Sequence, residues 1–320
     1  TSSSKKDTEI ELNINKELFY LLKHQYKLVS IYNLINSVLT DPTEKELAYK
    51  CCSDINDTTN KCFDFAEFQK DSDPIVYGFS KYGYVKEKSC TPEIKKDLFG
   101  LSDPVRAKHS QRFFKTGPGQ YGEGDVFLGL TMPELRVVAK KYFKEVSLVD
   151  VQELVKSKYH EFRMCALVML VYKYEKFASE RKEIYEFFLK NTKYINNWDL
   201  VDVTVPRTVG FYLVDHDRSV LYKLVKSKDL WERRISVLAT FAFIRNNDFK
   251  DSLKISEILL NDKHDLIHKA VGWMLREIGK RDESVLEEFL DKHVTEMPRT
   301  MLRYSIERLE EGKRKGYLRK

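Results

Sequence analysis

His160-Glu161-Phe162-Arg163-Met164-Cys165-Ala166-Leu167-Val168-Met169-Leu170-Val171 is an apolar run that reads as one buried helix with a basic residue in its first turn. Runs of the same kind return along the chain. Arg163, Asp199, Arg234, Lys269 and Tyr304 stand at comparable points of apolar helices, 36, 35, 35 and 35 residues apart. A unit of that length is a pair of helices, which cannot bury its apolar face alone and must stack on its neighbours. The period matches a short HEAT-like pair and lacks ankyrin or tetratricopeptide consensus residues, so the expected fold is an α-α superhelix. In that register Arg163, Arg234 and Lys269 project from successive inner helices, about 10 Å apart, along one concave face. They would form a basic groove of duplex width.

Working outward, Thr91-Pro92-Glu93 is a helix start, with Thr as N-cap and Pro at the first helical position. Helical patterns then run over 92–100, 103–115, 131–143, 148–157, 160–175, 180–191, 197–213, 217–227, 230–245, 248–261, 265–280, 283–293 and 298–311. Thr131-Met132-Pro133-Glu134 is a capping box, and no segment alternates with period two for long. The domain expected from these patterns, residues 91–320, is all-α. Residues 1–90 form an N-terminal extension, partly helical over Leu18 to Leu39, with turns and irregular chain at Asp71-Ser72-Asp73-Pro74 and Tyr82-Gly83-Tyr84. Within it, Asn56 to Phe68 has the spacing of a calcium loop. Lys61 replaces the turn glycine and Asn56 the first carboxylate, so a polar connection is the better reading. The opening Thr1-Ser2-Ser3-Ser4-Lys5-Lys6-Asp7 has neither an apolar segment nor a methionine; it reads as a disordered polar tail on a fragment of a longer chain.

With 42% hydrophobic residues and no apolar run of membrane length, the chain reads as soluble and globular, with no membrane partner. Its net charge of +6 is unevenly spread. Residues 1–90 hold 12 Lys and no Arg against 14 acidic residues, and the remainder holds 43 basic against 35 acidic. Arg106 is the first arginine, so a surface for bidentate phosphate contacts belongs after it. Five cysteines, four of them before residue 91 and none in a CxxC pair, point to a reducing cytoplasm or nucleus and away from structural zinc. Gly117 to Gly122 matches GxGxxG but follows a helix, and no Gly-Lys-Ser/Thr succeeds it, so a phosphate approach or a plain connection remains. His264-Asp265-Leu266-Ile267-His268 has zincin spacing without the glutamate base or a third ligand.

All three tryptophans sit beside charges: Asn197-Trp198-Asp199-Leu200-Val201-Asp202, Trp231-Glu232-Arg233-Arg234 and Gly272-Trp273-Met274-Leu275-Arg276. Aromatic faces so placed can meet a cationic ligand, though Trp273 also reads as ordinary core. Trp198 and Asp202 are one helical turn apart on one face, and Pro206 then ends or kinks the helix. Asp202 falls where sibling repeats carry Ala166, Val237 and Gly272. A carboxylate there has either a chemical purpose or a partner, and the candidate partner is Arg234.

Residues 92–318 resemble the AlkD-type DNA alkylation-repair glycosylases, HEAT-like enzymes. The resemblance rests on Asn197 to Asp202, Trp231 to Arg234, Ala270-Val271-Gly272-Trp273-Met274-Leu275-Arg276-Glu277 and Pro298-Arg299-Thr300-Met301-Leu302-Arg303-Tyr304. It implies excision of N3- and N7-alkylated purines from double-stranded DNA by a monomer, with no metal or cofactor. The family's functional residues carry over to Trp198, Asp202, Arg234 and Trp273, with Arg163, Arg233, Lys269, Arg276 and Arg303 as DNA-binding residues. Arg234 would hold a phosphate, and the duplex would be trapped without base flipping. The Gly-rich stretch Thr116 to Asp125 and residues 1–90 lie outside that family pattern. A non-catalytic scaffold binding nucleic acid or protein through the same groove is the alternative.

Overall fold

The computed structural model describes residues 77–80, 83–86 and 89–320. The chain divides into two compact units, Thr1–Lys88 and Ser89–Lys320. In the first, β1 (Tyr77–Ser80) and β2 (Gly83–Lys86) form an antiparallel hairpin with Tyr77 opposite Lys86. Irregular chain was expected at Tyr82-Gly83-Tyr84; four-residue strands are too short for alternation to register, and Lys81-Tyr82 is not a hairpin-turn pair. The calcium-loop-like Asn56 to Phe68, the amphipathic 18–39, the polar tail and Cys51, Cys52 and Cys62 lie outside the described residues.

The second unit is helical: α1 (Thr91–Gly100), α2 (Pro104–Phe113), α3 (Met132–Tyr142), α4 (Leu148–Val155), α5 (His160–Lys176), α6 (Arg181–Lys190), α7 (Trp198–Thr204), α8 (Val209–Leu213), α9 (Ser219–Leu224), α10 (Leu230–Ala239), α11 (Phe241–Arg245), α12 (Lys250–Ile258), α13 (Asp265–Gly279), α14 (Glu283–His293), α15 (Arg299–Ser305) and α16 (Glu311–Arg319). Helices α5, α7, α10, α13 and α15 form a row in which each packs on the next. These are the helices that carry Arg163, Asp199, Arg234, Lys269 and Tyr304. A second layer covers the row, with α3, α4 and α6 on α5, α12 on α10 and α13, and α14 on α13. One continuous apolar core, including Leu167, Val201, Val237, Val271 and Leu302, runs between the layers. The unit is a helical-repeat array.

Local chemistry explains the helix boundaries. The expected box closes at Thr131 and Glu134, and Ser147 and Asp150 form a second at the start of α4. The expected helix 197–213 is broken by Pro206 into α7, a 3-10 turn over Val205–Arg207, and α8. Hydroxyls take up carbonyls at the break: Thr204 Oγ donates to Leu200 and Thr208 Oγ to Thr204. The expected helix 230–245 divides at Thr240, whose hydroxyl donates to the Val237 carbonyl. Helix α16 was not expected, because its two glycines and run of charges conceal it. Tyr317, buried, seats it, and Glu310 caps it by accepting from the Gly312 and Lys313 amides. Among the described residues no helix is long and apolar enough to cross a membrane.

Candidate active site

Seven residues, Trp198–Thr204, form the short helix on which the site is built. Asn197, fully buried, caps it by accepting from the Trp198 amide at 2.8 Å. Asp199, in the first turn, suits the positive end of the helix and accepts from the Leu200 amide. Trp198 and Asp202 share a face one turn apart.

The Asp202 carboxylate is gripped at both oxygens. Arg234 donates from Nε to Oδ1 at 2.8 Å and from Nη2 to Oδ2 at 2.7 Å. Its remaining nitrogen, Nη1, donates to the Leu266 carbonyl. The planar fork therefore ties α7 and α13 to α10 and is buried. The guanidinium expected to hold a phosphate is instead bonded to Asp202, the partner that the sequence offered for that carboxylate. Burial pushes the Asp202 carboxyl above the ordinary carboxylate value, against the pull of Arg234. A carboxylate so placed is a stronger base than one in water.

Behind Trp198 lies a second, buried charge cluster. His160 Nε2 is 2.8 Å from Asp199 Oδ2 and its Nδ1 3.3 Å from Asp125 Oδ2. Arg163 pairs with the same Asp125 oxygen at 2.7 Å, and Asn197 Nδ2 donates to it at 3.4 Å. Burial alone would lower the His160 pKa, but Asp199 and Asp125 outweigh it and push the value up to about 9. Burial would raise Asp125; His160 and Arg163 overcome it and hold that carboxyl below the usual range. Asp125 ends the Gly-rich loop, so the cluster fastens that loop to the cap of α7.

The loop also brings in Tyr121. Its ring lies edge-on to Trp231 at 5.9 Å, its hydroxyl donates to the Phe113 carbonyl at 3.5 Å, and burial raises its pKa. Gly122 follows because a Cβ there would meet the Phe114 carbonyl at 2.5 Å. Trp198, half-buried, stacks one face on Phe114 at 5.3 Å and meets Phe113 edge-on at 6.0 Å. Tyr121, Asp125, His160 and Asp199 had no assigned role from sequence. The aromatic inside a glycine-rich loop was the signal for Tyr121; the others come together only through the fold.

The structure thus brings Trp198, Arg234 and Lys269 near Tyr121, with Asp202 held on Arg234. Lys269 is partly exposed and pairs with Asp265 at 2.8 Å. Arg163 and Arg233 depart from the expected groove. Arg163 folds back to the Ser157 carbonyl, and Arg233 to those of Ser227 and Lys228 while pairing with Asp262 at 2.7 Å. Each satisfies the turn preceding its own helix. Arg276 is paired with Glu307 across the gap between α13 and α15. Arg303 is exposed. Trp273 packs on Phe241 at 5.8 Å and donates to Glu277. Of the zincin-spaced pair, His264 accepts from the Leu266 amide and His268 meets the Asp262 carbonyl, each closing a local turn.

A family model described as DNA alkylation repair enzyme matches residues 94–309. A solved structure described as a predicted DNA alkylation repair enzyme from Enterococcus faecalis is similar in fold, with a TM-score of 0.53 and 17% identity, over 66% of this chain and 98% of that one. No curated protein matches.

Proposed function

The chain belongs to the DNA alkylation repair enzyme family, and on that premise we propose that it is a DNA glycosylase, releasing N3- and N7-alkylated purines such as 3-methyladenine and 7-methylguanine from duplex DNA. The observation that carries this reading is the Asp202 carboxylate, oriented at both oxygens by Arg234, made more basic by burial and held one turn from Trp198. Alkylation at N3 or N7 makes the purine cationic and a good leaving group, so little acid catalysis is needed. As the bond from C1′ to the base nitrogen breaks, its electron pair leaves with the base, and the sugar gains oxocarbenium character. Asp202 stabilises that charge and takes a proton from the water that adds at C1′. Trp198 offers its π face to the cationic nucleotide, and Trp273 supplies a further aromatic face two repeats on. Arg234 is a positioning residue in this scheme. The protein acts as a monomer in a reducing cytoplasm or nucleus, with Lys269 and Arg303 as DNA-facing cations.

Single-turnover release of 7-methylguanine from a methylated duplex tests it. Asp202→Asn is expected to slow release about a hundredfold or more while leaving duplex affinity nearly unchanged, because the carboxylate acts chiefly in the transition state. Equal rates would overturn the catalytic role. One observation favours a second reading, a non-catalytic scaffold: the bidentate pair already satisfies Asp202 structurally. Duplex binding with no release from 7-methylguanine or 3-methyladenine substrates would select it.

A further inference from the structure

Helix α2 is unlike the other α-helices of residues 89–320 in having no buried residue. It is pinned instead by backbone and loop. The Asp103 amide donates to the Leu128 carbonyl at 2.8 Å, and the Asp103 side chain caps the Val105 and Arg106 amides. Glu161, buried, receives the amides of Leu128, Gly129 and Leu130. Gly129 has φ +85°, and a Cβ there would meet the Asp103 carbonyl at 2.3 Å. At its other end Phe114 stacks between Phe127 at 4.9 Å and Trp198 at 5.3 Å. The helix is thus fixed against the site while its outer surface stays open.

That surface is cationic and aromatic. Residues 104–122 contain Arg106, Lys108, Arg112 and Lys115 and no acidic residue. Arg106 pairs with Asp103 and Glu134. Lys108, Arg112 and Lys115 are exposed, with no acidic partner among the described residues. His109 and Phe113, one turn apart, stack at 6.4 Å, and Phe113 is 56% exposed while touching Trp198. Lys115 adds a further sign. With φ 52° it occupies the left-handed position that ends α2, where the Lys115 amide bonds to Arg112 and the Thr116 amide to Gln111. Glycine is the low-energy residue for that position. Here a lysine stands in it, beside the aromatic rim of the site.

We propose that α2 is a phosphate-binding arm: Lys108, Arg112 and Lys115 hold the backbone of the duplex beside the nucleotide at Trp198, and Phe113 lies against the adjoining sugar. The proposal rests on reading the site as one for duplex DNA, and continuity with Trp198 favours that ligand over an acidic protein. Three cations without carboxylates bind phosphates by releasing condensed counterions. The salt dependence of binding counts them directly.

Affinity for a short undamaged DNA duplex is measured across a series of salt concentrations. For Lys108→Gln/Arg112→Gln/Lys115→Gln the slope of log K against log salt is expected to shrink by about 2.7, with affinity at low salt falling on the order of tenfold or more. Exchanging lysines for arginines and Arg112 for lysine should keep the slope. Lys115→Gly should raise the unfolding midpoint and still reduce the slope by about one. An unchanged slope in the triple variant overturns the proposal. Since the duplex carries no lesion, the result stands apart from catalysis: base release with an unchanged slope removes only the arm, and an α2-dependent slope without base release removes only the glycosylase.

Discussion

Asp202 and Arg234 limit each other's chemistry. A guanidinium that meets one carboxylate through Nε and Nη2 and a carbonyl through Nη1, and is itself buried, offers little surface to a phosphate. Arg234→Ala is therefore expected to leave the salt slope of duplex binding unchanged, to destabilise the fold by about 3 kcal/mol by stranding a buried carboxylate, and to slow base release. Denaturant titration and a salt series check this; a shallower slope would restore a phosphate to Arg234. The pairing of Trp198 with Asp202 was legible, since a spacing of four on a helix decides it. For Arg234 the sequence offered both Asp202 and a phosphate and could not choose: the 35-residue register brings it opposite α7, but whether it turns inward depends on the acceptors within reach. Tyr121 and His160 were less legible still, because they reach the site from a loop and a helix start distant in sequence.

At the scale of elements, a capping box made the helix start at Thr131 readable, and Pro206 announced the break after α7. The ends were harder. Thr240 divides a helix without proline or glycine, and α16 owes its place to one buried aromatic, Tyr317. Contacts between helices leave a different mark on the sequence, in small residues at crossings. Gly272 of α13 is such a point: a Cβ there would meet the Met301 carbonyl and Tyr304 Cβ, both at 2.5 Å. Gly272→Ala should push α15 away and cost about 2 kcal/mol despite the better helix propensity of alanine. Equilibrium unfolding measures it, and a neutral or stabilising effect would show that the two helices can separate freely.

Across the molecule, the repeat order was legible from periodicity, while of the charges that bind one repeat to the next the sequence reading named Asp202 with Arg234 and missed the others. Their titration has a sign that can be worked out. His160 has a folded pKa of about 9 against an ordinary 6.5, so its proton stabilises the fold fully below about pH 6.5 and that contribution is lost as pH rises through 9. Asp125, Asp199 and Arg163 face it. The unfolding midpoint is expected to fall between about pH 6.5 and 9, and to fall less in His160→Gln; parallel profiles would refute this. The same bonds bear on how such an array can evolve. His160 to Asp199, Asp202 to Arg234, Arg233 to Asp262 and Arg276 to Glu307 each reach from one repeat to its successor. Solenoids commonly gain or lose whole repeats by duplication, because each unit meets its neighbours through interchangeable apolar faces. Here a unit inserted at any of those four junctions would part an ion pair and leave charge without its counterpart. The length of this array is therefore heritable only as a block.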